Sequence, residues 1–120
     1  MKRVISMAML AALWCGGPAL AQTAPIEFRV TPVQGNPGGC MRFDPALSRV
    51  HTISLQGDKA VLKSSGGIND TLKQASPNVY TTRYRMGEVT LDVTADASRT
   101  PRSLTVVEPK LGCRWTAIAA

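Results

Sequence analysis

Few residues in this chain could carry chemistry: three cysteines, one histidine and eight carboxylates among 120 residues. Cys113 stands near the C-terminal end, in "KLGCRWTAIAA", and three roles compete for it. A zinc site asks for four ligands, or three and a water, and beyond residue 21 the cysteines and histidines are only Cys40, Cys113 and His51. A redox pair usually has C-x-x-C spacing, whereas Cys40 and Cys113 lie 73 positions apart (113 less 40). A disulfide needs only two thiols in an oxidising compartment. Cys40 and Cys113 are therefore read as one disulfide, a closure that contributes about 4 kcal/mol on the chain-entropy account.

The other candidates lack partners. His51 is a possible general base or single metal ligand, but its setting is that of a histidine at the margin of a sheet. No serine occupies a G-x-S-x-G elbow. Of Glu27, Asp44, Asp58, Asp70, Glu88, Asp92, Asp96 and Glu108, most fall on turns or outward strand positions, where paired acid–base chemistry is not expected. Met41, Met86 and His51 show no spacing that would gather a cuprous ion. "GNPGG" precedes neither a helix nor a Gly-Lys-Ser/Thr, so it is no phosphate cradle. No catalytic residue, metal site or cofactor is expected.

The N-terminus explains the chosen role of the thiols. Lys2 and Arg3 precede an apolar run from Val4 to Cys15, Gly16-Gly17-Pro18 breaks it, and Ala19-Leu20-Ala21 has the small-x-small form of a cleavage site. That order is a secretory signal peptide over residues 1–21, leaving residues 22–120 as a single exported domain, periplasmic or secreted. Trp14 before Cys15 argues against lipidation there. No later stretch is long and apolar enough for a transmembrane helix. Loss of Lys2 and Arg3 takes the formal charge from +6 to +4, a mild attraction to anionic envelope components. No Lys/Arg cluster of the kind that tracks nucleic acid is present.

The elements that must position these residues are strands. Short alternating runs of Val, Ile and Thr are separated by Gly, Pro, Asn and Asp. "IEFRV" is the first. Asp44-Pro45 opens one helical turn through Leu47. "RVHTISLQGDKAVLKS" is a hairpin about Gly57-Asp58, with Leu55 opposite Ala60, Ile53 opposite Leu62 and His51 opposite Ser64. A second hairpin turns at Met86-Gly87, placing Tyr84 opposite Val89, Thr82 opposite Leu91, Arg85 opposite Glu88 and Arg83 opposite Thr90. A third turns over Pro109–Gly112. Between the first two, Asn69 or Asp70 caps a short helix through Ala75, ended before Pro77. The sum is seven strands, with an eighth sought in residues 40–50.

This pattern predicts an all-β fold: a small antiparallel sandwich or lipocalin-like barrel of about seven or eight strands with one disulfide. At the level of gross plan it is similar to small exported barrels such as the periplasmic lysozyme inhibitors, whose loop motifs this sequence does not contain. The expected function is a non-catalytic binding module for a protein or an anionic envelope component. The surface expected to bind is the second hairpin: Arg83 and Arg85 outward, Tyr80 and Tyr84 on the reverse. Two alternatives stand beside it. One is an inhibitor of a secreted hydrolase, a lysozyme or a protease, acting through a protruding loop at 64–77 or 95–102. The other is a small enzyme using His51 or a carboxylate.

Overall fold

A computed structural model describes residues 24–119. The leader read at residues 1–21 lies outside the described residues. Nine strand segments are present among them: β1 (Ile26–Arg29), β2 (Thr31–Pro32), β3 (Val50–Gln56), β4 (Lys59–Ser64), β5 (Asn69–Ser76), β6 (Val79–Met86), β7 (Val89–Asp96), β8 (Ser103–Glu108) and β9 (Cys113–Ile118). Between β2 and β3 lie a 3-10 helix (Gly38–Phe43) and one turn of α-helix, α1 (Asp44–Leu47). The sheet order is β1-β3-β4-β5-β6-β7-β8-β9-β2, with every neighbour antiparallel. The segments at the two ends of that order, β1 and β2, are separated in the chain by Val30 alone. Residues 26–32 thus form one strand shared between β3 and β9, and the meander rolls up into a nearly closed barrel. No helix among the described residues is long and apolar enough to cross a membrane.

Alternation builds the interior. Phe28, Ile53, Leu62, Leu72, Leu91, Leu104, Val106 and Trp115 point inward and are at most 2 % exposed. Pro45, at the start of α1, needs no N–H partner there. The helical segment is a plug, placed against one end of the barrel by four contacts. Cys40 is bonded to Cys113 at the start of β9, with Cα atoms 5.8 Å apart. Phe43 meets Trp115 edge to face, with ring centroids 6.3 Å apart. The Trp115 indole Nε1–H donates to Asp44 Oδ1 at 2.8 Å. Leu47 O bonds His51 Nε2 at 2.9 Å. Gly66, in the β4–β5 turn, lies against the plug so closely that a Cβ there would sit 2.9 Å from Ala46 O.

The first hairpin has the register read from its sequence, from Gln56↔Lys59 to His51↔Ser64, with Gly57 at φ +76°. The third turns over residues 109–112, pairing Glu108 with Cys113. Three expectations are corrected. Residues 69–75 are not a helix but most of β5, because Leu72 can fill the barrel only if Thr71 and Lys73 alternate outward, and β4 offers an edge to pair with. The eighth strand of the wall is therefore this one, and residues 40–50 supply the plug instead. The second hairpin turns at Gly87-Glu88, not Met86-Gly87, since glycine takes the left-handed first turn position at φ +68°. Tyr84 then faces Leu91 and Arg83 faces Asp92. The shift moves each partner by two residues, so the inward and outward faces are unchanged.

The disulfide joins the plug to the last strand, and its loss should be felt by the whole barrel. Replacing both Cys40 and Cys113 by Ala is expected to lower unfolding stability by up to about 4 kcal/mol. Urea denaturation followed by Trp115 fluorescence checks this; an unchanged midpoint would show that the noncovalent contacts alone hold the plug.

Candidate functional site

His51 lies inside the barrel at the plug, 1 % exposed and paired in register with Phe28 and Ser64. Its Nε2 bonds the Leu47 carbonyl, and its Nδ1 has no partner among the described residues. Burial pushes its pKa below the ordinary 6.5, against a smaller upward pull from the Leu47 carbonyl. A ring shut in between plug and core, with one nitrogen committed to a backbone oxygen, helps order the plug. Glu108, 4 % exposed, is also occupied: its carboxylate accepts from Lys110 N–H at 2.8 Å and Leu111 N–H at 2.7 Å, capping the β8–β9 turn.

The two loops considered as inhibitory are short or tied. Residues 69–76 are strand, leaving only 65–68 as a turn. In the 97–102 loop, Asp96 Oδ1 accepts from the Ser98 N–H and hydroxyl, which hold the Asp96 carboxyl below the usual range. Ala97 N–H donates to Asn78 O at 2.8 Å, fastening the loop to the β5–β6 turn.

The outer wall over β4, β5 and β6 is different in character. Lys59 and Lys63 project from β4, Lys73 from β5, and Arg83 and Arg85 from β6, all exposed. Lys59 and Lys73 are direct cross-strand partners, a like-charge pairing that costs stability. Arg83 Nε donates to Asp92 Oδ1 at 3.0 Å, an exposed pair worth little, and it is the one ion pair found among the described residues. Shallow depressions flank the face, one bounded by Asp58, Lys59, Thr71 and Lys73, the other by Thr81, Arg83 and Asp92.

Of the residues read as binding from sequence, Arg83 and Arg85 lie on this face. Tyr84 points to the interior of the same strand and is half-buried, packed against the core. Tyr80 is separate from them: it is 3 % exposed, and its hydroxyl donates to Gly57 O at 2.9 Å, bracing the β3–β4 turn from inside. Lys59, Lys63 and Lys73 are the members that sequence reasoning missed. The signal was the outward alternation of Thr71 and Lys73 about Leu72, which places a lysine beside Thr81 once residues 69–76 are seen as strand.

No protein-family model matches this chain, and no curated protein or solved structure does either.

The pKa of His51 sets a pH dependence. With the folded value depressed, the native state binds fewer protons than the unfolded chain below pH 6.5. Stability is then full above that pH and falls as the pH drops through and below it. Urea titrations between pH 5 and 8 should show this slope, and His51→Gln should remove most of it. A slope that survives in the variant would assign it to another group.

Proposed function

We propose that this protein is a non-catalytic binding module, working outside the cytosol, whose basic outer wall over β4–β6 engages an acidic partner. The observation that carries this reading is the gathering of Lys59, Lys63, Lys73, Arg83 and Arg85 on three adjacent strands, against one neutralising ion pair. Like charges set side by side on a sheet reduce stability, and their field attracts and steers an anionic partner. The barrel interior supports a surface rather than a chalice, since Trp115, Phe28, Leu62, Leu91 and Leu104 fill it. The disulfide and the leader pattern support the compartment.

Binding to an acidic component of a cell-envelope extract should weaken with salt. The double variant Lys63→Glu, Arg85→Glu should weaken it by about tenfold or more, whereas Arg114→Glu on β9 should leave it unchanged. Thermal melts should agree within about 4 °C among the three proteins. Retention that ignores both salt and the double reversal would overturn the assignment of this face.

A further inference from the structure

The barrel wall is not stitched along its whole height. β5 and β6 each have eight residues, yet their ladder covers only Lys73↔Thr81, Gln74↔Tyr80 and Ser76↔Val79. Below it, Asn69–Leu72 pair with β4 alone and Thr82–Met86 with β7 alone. Backbone direction identifies what faces the seam. Gln74 N–H donates to Asp58 O on the β4 side at 3.1 Å, so by alternation Thr71 and Asn69 turn their main-chain groups toward β6. The pairing of Lys73 with Thr81 likewise turns those of Arg83 and Arg85 toward β5.

Side chains bridge this seam where the ladder stops. Asp70 Oδ1 accepts from Thr71 N–H at 2.8 Å, and its Oδ2 accepts from the Thr82 hydroxyl at 3.2 Å. One carboxylate thereby occupies the β5 amide and latches β5 to β6. The inward-facing residues beside the seam, Asp70, Thr82, Tyr84 and Met86, are half-buried, while the β7 residues paired with Thr82 and Tyr84, Val93 and Leu91, are buried.

We propose that the seam takes up one extended segment of an acidic protein partner, which adds as a strand to the β6 edge at Thr82–Met86. This rests on the reading of the basic wall as a partner surface and names the partner's form. The β6 edge is the receiving one because the Thr71 amide on β5 is already held by Asp70. A free strand edge binds peptide through main-chain hydrogen bonds, and alternate side chains supply specificity. Here the period of two dictates the partner's pattern. Its outward residues lie beside Arg83 and Arg85, with Lys73 at the closed end of the seam and Lys63 one strand beyond β5, and must be acidic. Its inward residues lie beside Thr82, Tyr84 and Met86 and must be apolar. A segment alternating Glu with Val meets both demands.

The test uses two capped peptides of identical composition, one alternating (Glu-Val-Glu-Val-Glu-Val-Glu) and one with the same residues in blocks, together with vesicles of anionic phospholipid. Binding is read by fluorescence anisotropy and by amide hydrogen exchange. The alternating peptide should bind at least about tenfold tighter than the block peptide and should slow exchange at the Arg83 and Arg85 amides. Thr82→Val, which breaks the latch without changing charge, should tighten binding of the alternating peptide by about fivefold. Equal binding of both peptides with no added protection at Arg83 and Arg85 would overturn the strand-addition proposal while leaving the basic wall as a general anion surface. Binding to vesicles alone would overturn it in the same way. Failure to bind any acidic probe or extract at low salt would overturn both readings together.

Discussion

A rolled antiparallel meander has two free edges, and each presents a row of unpaired amides and carbonyls. Here one stretch of seven residues deals with both. Residues 26–29 satisfy β3, Val30 N–H donates to Arg49 O at 3.0 Å, and residues 31–32 then pair with β9. Beyond β2 the closure continues with other groups: Val33 N–H and the Asn36 side-chain amide both donate to Arg114 O, while Asn36 Oδ1 accepts from Arg114 N–H. The rest of the molecule depends on this crossing. It brings the plug, which follows immediately in the chain, to the end of the barrel where Cys113 and Trp115 can hold it.

With the wall closed at β1 and β2, pairing stays incomplete between β5 and β6 and, more briefly, between β7 and β8, where Val89–Leu91 have no β8 partner. The short β5–β6 ladder leaves main-chain groups on both sides without a sheet partner, and a buried position for them would be costly. The residues whose main-chain groups face the gap, Asn69 and Thr71 on β5 and Arg83 and Arg85 on β6, are exposed, with Asp70 and Thr82 spanning the gap from within. Charged side chains along an exposed edge discourage pairing with further copies of the same chain. In the proposed reading, the same charges favour a segment of opposite sign. The loss of stability from the Lys59–Lys73 pairing and the missing ladder rungs both involve β5, which fits the proposed role of this face.

Much of the architecture was legible because its determinants are local. Gly57-Asp58 defines a tight turn, and the alternation on either side gives the register of six residue pairs without reference to the rest of the chain. Pro109–Gly112 and Asp44-Pro45 act in the same way. β5 was illegible for a physical reason: it places one buried leucine, Leu72, among polar and small residues, so neither period stands out and Asn69-Asp70 reads as a cap. Reading those residues as helix also hides Lys73 and separates β4 from β6. Arg83, Arg85 and Tyr84 can be picked out along one strand, but the lysines join them only through strand neighbours. The seam is further removed, because the point at which a ladder stops is a property of two strands in three dimensions. The second hairpin shows the finer limit, since moving a turn by one residue keeps both faces and changes every partner.

The shared strand also governs the order in which this barrel can come into being. Residues 26–32 precede the other strands of the domain, yet the pairing of Thr31 and Pro32 waits for Thr116 and Trp115, more than 80 positions later. Contacts so distant in sequence form slowly, because loop-closure entropy is lost before they return any stabilisation. Until the final strand pairs, the chain is an open ribbon with two raw edges. A truncation that removes only the last few residues would therefore return the molecule to that ribbon, with most of its hairpins still able to form.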